Sequence, residues 1–249
     1  MNKLSAVIIT KNEEKNIKDC LCSVRWADEI IVVDDLSTDQ TREIAESFGA
    51  RVLKRKMDVE GIHRNFAYAQ AKNAWVLSLD ADERVTEELK KEIENIIAQE
   101  TNFAGFTIPR RNHLGSYWIK YGGLYPSAQL RLFKKEKFRY EEAEVHPRVF
   151  LEGECGHLKS DIIHFNFRDF SHYFAKLNSQ TTLEAKKMFK SGKKYTRGKY
   201  LWRAIDRFFR SYFCKQGFRD GFIGFMVAYF AAVYQIISYA KYWELKKVK

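Results

Sequence analysis

The sequence predicts an α/β fold on a doubly wound, mostly parallel sheet, followed by a helical, basic C-terminal extension. Three observations lead there. Short apolar, β-branched runs alternate with amphipathic helical stretches over the first hundred residues, with short connections between them; this is the pattern of a parallel sheet with helices on its faces. Several apolar runs end in polar or acidic clusters, at the strand ends where open α/β sheets carry their sites. The charge is also lopsided: residues 171–249 hold 17 Lys and Arg against 4 Asp and Glu, while the first 170 residues hold 26 against 28. A near-neutral domain over 1–170 and a basic, aromatic-rich extension over 171–249 are therefore expected.

The elements follow in order. Residues 4–10 are apolar and β-branched. The run is short, lacks a small-residue cleavage site and meets Lys11, Glu13 and Glu14 at once, so it reads as a first strand and not a signal peptide. Asn12-Glu13-Glu14 reads as a helix cap with an acidic first turn, and Ile17, Leu21 and Val24 then recur at helical spacing. Residues 29–33 form a second strand, ending at Asp34-Asp35-Leu36-Ser37-Thr38-Asp39. Ser37 or Thr38 offers a cap for the next helix, leaving the two aspartates for other work. That helix covers about 40–48 and stops at Gly49, a favoured residue just past a helix end. A short third strand (50–53), a helix over 62–72, and a buried strand through Trp75-Val76-Leu77-Ser78-Leu79 come next. Residues 86–99 are helical, with Leu89, Ile93, Ile96 and Ile97 on one face. From 103 to about 167 the pattern is mixed, with β-like runs at Phe106-Thr107-Ile108 and Leu130-Arg131-Leu132-Phe133; after Ser171 it is helical.

With 45% hydrophobic and 15% aromatic residues, the chain is not disordered. Cys20, Cys22, Cys155 and Cys214 form no C-x-x-C pair and no zinc spacing; they read as reduced core or helix residues of a cytoplasmic protein. In the tail, 186–210 interleaves Lys and Arg with Phe, Tyr and Trp, and Phe222–Ala240 is a 19-residue stretch without charge. Its length just reaches a bilayer span. Gln235, Ser238 and three tyrosines moderate it, which favours a helix lying at the interface or buried on the domain. Basic residues beside Trp and Tyr suit an anionic membrane surface; a solvated charged face over an ordinary helical core is the alternative. No nucleic-acid motif is present, so no nucleic-acid partner is expected.

The sharpest motif is Leu79-Asp80-Ala81-Asp82-Glu83. Continued as a strand, it puts Asp80 and Asp82 on one face at the carboxyl end. Two adjacent anions repel unless a cation lies between them, and hard divalent ions that sit beside phosphates are the usual solution. Capping of the following helix is the plainer alternative for so short a motif.

Taken together, Ile8-Ile9-Thr10-Lys11-Asn12-Glu13-Glu14, Ile31-Val32-Val33-Asp34-Asp35-Leu36-Ser37-Thr38-Asp39 and Leu79-Asp80-Ala81-Asp82-Glu83 resemble the family 2 glycosyltransferases with the nucleotide-diphospho-sugar (GT-A) fold. Trp26-Ala27-Asp28-Glu29, Tyr125-Pro126, Gln129-Leu130-Arg131-Leu132-Phe133 and Gly217-Phe218-Arg219-Asp220-Gly221-Phe222-Ile223-Gly224-Phe225 extend the resemblance. They point to the β-glucosyltransferase-like subgroup that builds bacterial lipopolysaccharide core and related surface glycans.

The resemblance implies that Thr10, Asn12 and Glu13, with Asp34 or Asp35, hold the nucleotide base and ribose. It implies that Arg64 meets the diphosphate and that Arg131 belongs to the donor site. Asp82 is implied as leading ligand of a Mg²⁺ or Mn²⁺ ion, Asp80 lying nearer the ribose or sharing the metal through water. His164 is implied as a further metal or phosphate contact. A surface arginine and a hydrogen-bonded histidine are the plain alternatives for Arg64 and His164. Family members often show a His-Glu pair after the Arg-Leu-Phe block; here the stretch reads Glu141-Glu142-Ala143-Glu144-Val145-His146-Pro147, with Pro147 where that Glu would stand. Glu144 is the first choice of catalytic base, with Glu142 and Glu141 as alternatives.

The implied activity is inverting, metal-assisted transfer of a sugar, with UDP-glucose the favoured donor. The acceptor is a lipid-linked glycan such as lipopolysaccharide core, at the inner face of the cell membrane. A transferase onto polyprenyl phosphate and a non-catalytic membrane or polyanion-binding protein are the competing readings. A nucleotidyltransferase would need a glycine-rich loop after the first strand, and residues 10–14 contain no glycine.

Overall fold

The computed structural model describes residues 2–142 and 148–247. The chain forms two compact units, one of Met1–Arg110 with Ala128–His164, the other of Arg111–Ser127 with Phe165–Lys249. In chain order the elements begin β1 (Leu4–Thr10), α1 (Ile17–Ser23), β2 (Glu29–Asp34), α2 (Thr41–Ser47), β3 (Arg51–Lys54) and α3 (Glu60–Ala69). Next come β4 (Trp75–Asp80), β5 (Glu83–Val85), α4 (Glu87–Ala98), β6 (Phe103–Ile108), β7 (Arg110–Leu114), β8 (Tyr117–Trp118) and β9 (Gln129–Lys134). The chain continues with β10 (Phe138–Tyr140), β11 (Val149–Leu151), β12 (Glu154–His157), β13 (Ile162–Phe167), α5 (Phe170–Lys190), α6 (Arg197–Phe209) and α7 (Gly221–Lys247).

The first unit is the doubly wound sheet the alternation predicts. Its strands run in the order β12-β6-β9-β4-β1-β2-β3. All lie parallel except β9, which is inserted antiparallel between β4 and β6. Alternate residues of β1 face opposite ways, as a strand requires. Leu4, Ala6 and Ile8 pack with Leu77 and Leu79 against Ile17, Leu21, Leu89 and Ile93 of α1 and α4. Val7 packs with Ile31, Val33 and Val76 against Ala67 and Tyr68 of α3. Helices thus cover both faces, which is why β1, β2 and β4 read as near-continuous apolar runs. Removing a fully buried leucine such as Leu77 from such a core costs about 2–5 kcal/mol.

Two local expectations are corrected. Asn12 does not cap α1: it takes a left-handed φ of 53°, and α1 starts only at Ile17 behind Asn16. Nor does Ser37 or Thr38 cap α2, whose N-cap residue is Gln40. The short polar side chains of both segments instead bond one loop to the other, as described below. Gly49, with φ 77°, does close α2 as expected. Thr86 caps α4 by accepting the Leu89 N–H.

In the second unit, α7 packs on α5 and α6. Tyr200, Ala185, Met188 and Tyr242 form its small core. The motif at 217–225 is a tight turn into α7: a Cβ on Gly224 would lie 1.8 Å from the Gly217 carbonyl oxygen, so only glycine fits. The buried Asp220 carboxylate accepts hydrogen bonds from Tyr121 N–H (2.8 Å) and the Tyr117 hydroxyl (3.2 Å). This fastens the 111–127 segment to the start of α7.

All four cysteines are free thiols, but only Cys20 is buried, and Cys155 lies on β12, neither core nor helix. Burial pushes the Cys20 thiol far above its ordinary value, with Arg84 only partly opposing. A thiol-specific reagent on the native protein is expected to modify Cys22, Cys155 and Cys214 and to reach Cys20 only on denaturation; mass mapping of the labelled residues checks this.

Candidate active site

Strand register assembles the site within the first unit. Thr10 pairs with Asp34 across β1 and β2, and Ile9 with Asp80 across β1 and β4, so three sequence-distant polar groups share one end of the sheet. Leu77 pairs with Leu132, and the next residue back along antiparallel β9, Arg131, reaches toward the carboxyl end of β4. β4 stops at Asp80; Ala81 and Asp82 form a turn and Glu83 opens β5. Asp80 and Asp82 are therefore not successive same-face residues of one strand, contrary to the strand extrapolation. β5 pairs with β13 so that Glu83 faces His164, which brings a residue more than eighty positions away beside Asp82.

The two aspartates have different partners. Asp80 Oδ2 accepts from Arg131 Nη2 at 2.6 Å and Oδ1 from Arg64 Nη2 at 3.3 Å. Burial opposes its ionisation, but the Arg131 and Arg64 charges outweigh that and hold its carboxyl well below the usual carboxylate range. Asp82 Oδ2 lies 3.4 Å from His164 Nε2. Beneath both is a residue sequence reasoning did not single out. Glu83 is fully buried; its Oε2 accepts the Asp80 N–H (3.0 Å), and its Oε1 accepts from Arg131 Nη2 (2.7 Å) and Arg110 Nη1 (3.2 Å). Its one legible signal is a charged residue where a strand resumes, immediately after D-x-D.

Arg64 is mostly buried, stacked 5.6 Å over the Tyr140 ring and tied to Glu60 by its Nε at 3.1 Å. Its Nη1 and the Arg131 Nε have no hydrogen-bond partner among the described residues. Buried guanidinium donors left over in this way suit an oxyanion ligand.

The loops after β1 and β2 form the other half of the site. Asn12 accepts the Thr38 N–H at 2.8 Å, and its own N–H donates to Ser37 Oγ. The Glu13 N–H donates to Thr41 Oγ1. Asp34 is bonded within its own turn, accepting the Ser37 N–H at 2.9 Å and the Ser37 hydroxyl, with Arg42 nearby at 3.8 Å. Asp35 bonds Lys11 Nζ (2.8 Å) and the Met57 N–H (2.7 Å). Burial works to raise its pKa, but these two bonds outweigh it and its carboxyl lies below the ordinary range. The Thr10 hydroxyl is buried without a partner among the described residues. So is Nε2 of His63, a second residue that sequence reasoning missed. His63 is kept neutral by burial and by Arg55, whose Nη1 meets its Nδ1 at 3.1 Å; Nε2 then carries the hydrogen.

The acidic stretch leaves from the same region, since Tyr140 and Asn65 exchange hydrogen bonds at 2.8 and 3.0 Å. Glu142 is exposed. Glu141 is chelated by Arg148 (2.8 and 3.0 Å), which holds its carboxyl down to about 2. Glu144, together with His146, lies outside the described residues. A cavity of about 640 Å³ opens at the other end of β4 beside Trp75 and Lys134 and carries none of these residues.

Among the described residues, no three His, Cys, Asp or Glu side chains group closely enough to enclose a metal. The Asp82–His164 pair nevertheless fits as half a site. Adjacent ligands at about 2.1 Å from one octahedral ion stand roughly 3 Å apart, and Mg²⁺ commonly takes one or two protein ligands and completes its shell from substrate phosphates and water.

The doubly wound sheet carries an acidic, cation-paired cluster at its strand ends, and residues 5–151 match the model of Glycosyl transferase family 2. The chain belongs to that family. It is 29% identical over 253 residues to the lipopolysaccharide core biosynthesis glycosyltransferase LpsC of Rhizobium meliloti (strain 1021), covering 99% of this chain and 94% of that one. It is 31% identical over 256 residues to an uncharacterised glycosyltransferase of Rickettsia bellii (strain RML369-C), covering 98% and 87%. Among solved structures, the Staphylococcus aureus TarS 1–349 complex with UDP-GlcNAc aligns with a TM-score of 0.49 at 18% identity, over 91% of this chain and 79% of that one.

Two outcomes test this geometry. Glu83→Gln keeps the shape but removes the charge facing Arg131 and Arg110, and is expected to lower unfolding free energy by about 3 kcal/mol, measured by urea denaturation. Because the pKa values of Asp80 and Asp35 are depressed in the fold, their stabilisation is fully present above the unfolded aspartate value near 3.9. Stability is therefore expected to fall as pH drops below about 5 and on through their folded values, read as a falling denaturation midpoint.

Proposed function

We propose that this family 2 glycosyltransferase transfers a sugar with inversion from a nucleotide-diphosphate donor, with UDP-glucose favoured. Its acceptor is a lipid-linked surface glycan such as lipopolysaccharide core, met at the cytoplasmic face of the cell membrane. The observation that carries the reading is the strand-end cluster, where a metal-competent Asp82–His164 pair stands beside guanidiniums with spare donors. The LpsC relative's name supports the acceptor class. The favoured sugar rests on the family resemblance alone.

In this reading Asp82 and His164 hold Mg²⁺ or Mn²⁺, which when bound supplies Lewis-acid neutralisation of the donor diphosphate. Thr10 and Asp35 line the base and ribose side. Asn12, Glu13 and Asp34 act through the loop conformation, to which their side chains or backbone are already bonded. Arg64 and Arg131 meet the charge that grows on the diphosphate as its bond to the anomeric carbon breaks. The acceptor oxygen attacks that carbon from the opposite face while its proton passes to a carboxylate. Glu144 is the first candidate for that carboxylate and Glu142 the second. Glu141, whose carboxylate is already bonded by Arg148, comes third.

The test joins binding to turnover. UDP-glucose with Mn²⁺ is expected to raise the melting temperature, and EDTA to abolish the shift. Asp82→Ala is expected to lose about a hundredfold or more of transfer rate, with an unchanged circular dichroism spectrum. Full transfer by that variant would remove Asp82 from the mechanism. Absence of a shift with any nucleotide sugar would overturn the donor assignment.

A further inference from the structure

The second unit carries an exposed apolar surface. At about 100° per residue, Leu201, Ile205, Phe209 and Trp202 of α6 fall within one arc of roughly 100°. All four are more than half exposed, Trp202 by 68%. A second arc, with Tyr200 and Ala204, is buried, and the Tyr200 ring stacks on Tyr239 of α7. The third arc holds Lys199, Arg203, Arg207 and Arg210. Its one acid, Asp206, is already paired with Arg210 at 2.7 Å.

A helix that only packs needs one apolar face, and a solvated one needs a polar face beside it. A second apolar arc facing outward, bordered by cations, is the pattern of a helix lying in a bilayer interface. The exposed apolar side chains continue past α6 through Phe213, Phe218 and Phe222, with Lys215 and Arg219 among them.

α7 is long and apolar enough to cross a bilayer by length and composition. However, its Gln235 and Ser238 are buried. Lys241 on the same helix donates its ammonium to Asn178, Thr181 and Thr182 of α5. A crossing α7 would draw α5, with Lys176, Lys186, Lys187 and Lys190, toward hydrocarbon, which is expensive.

We infer that α6, through Leu201, Trp202, Ile205 and Phe209, docks in-plane on an anionic phospholipid surface while its Lys and Arg side chains meet lipid phosphates. This deepens the membrane location proposed above and is independent of the donor chemistry.

The full chain is mixed with vesicles of phosphatidylcholine alone or with phosphatidylglycerol, and the bound fraction is read by sedimentation. Binding is expected on the anionic vesicles and is expected to weaken with salt. Leu201→Ser with Ile205→Ser should reduce partition about tenfold or more, and Arg203→Gln or Arg207→Gln about fivefold each. The donor-induced melting shift of the serine variant should match the parent, which separates loss of docking from misfolding and from failure of the transferase reading. In brominated vesicles, fluorescence quenching should fall in Trp202→Phe. Parent-like vesicle binding by the serine variant would overturn the inference, as would equal, salt-insensitive binding to neutral vesicles. A lipid-free dimer by light scattering that the serine variant breaks would overturn it too, by making the face a contact between copies.

Discussion

The buried Glu83 carboxylate is the constraint around which the site is arranged. It has no access to solvent, so its charge must be met by protein, and three donors converge on it: the Asp80 amide, Arg131 and Arg110. Each donor fixes a different part of the fold. The amide sets where β4 ends, Arg131 ties β9 to that end, and the pairing of β5 with β13 carries His164 to Asp82. Breaking such a buried set by removing one member costs far more than a surface ion pair, because the charges left behind remain desolvated.

That arrangement divides the labour of the D-x-D motif. Two adjacent carboxylates need positive charge; the protein supplies it to Asp80 as two guanidiniums and sets Asp82 beside the His164 imidazole. The first is an ion-pair cluster that Glu83 shares through Arg131. The second joins two good metal ligands at a separation one ion can bridge. The loops after β1 and β2 show a similar division: Asp34 is committed to its own turn, while Asp35 is shared between Lys11 and the Met57 amide.

The second unit obeys different physics. It has small aromatic cores, a glycine-bound turn at 217–225 and an outward apolar arc, all on a chain segment with a net charge of +13 over residues 171–249. Apolar burial holds its helices together, whereas charge and exposed aromatics define its surface. In the Gly217–Phe225 motif, part of the family resemblance, Gly224 is there because the chain crosses Gly217 too closely for any side chain, and Asp220 accepts hydrogen bonds from Tyr117 and Tyr121.

The sequence by itself determined the alternation of strand and helix, the parallel sense of β1 to β4 and the residues at their ends. Those follow from side-chain period and local capping, which act over a few residues. It also showed the charge break before the helical tail. Only the tertiary structure decided that β9 enters the sheet antiparallel, that Asn12 and Asp34 bond loop to loop or turn, and that Glu83 and His63 are buried polar residues of the site. It likewise decided which arc of α6 is exposed. Each of these depends on partners tens of residues away: Asp80 with Arg131, Asn12 with Thr38, Tyr200 with Tyr239. Chain period carries no information about such pairings, because a carboxylate's role is set by the charge that desolvation forces it to find.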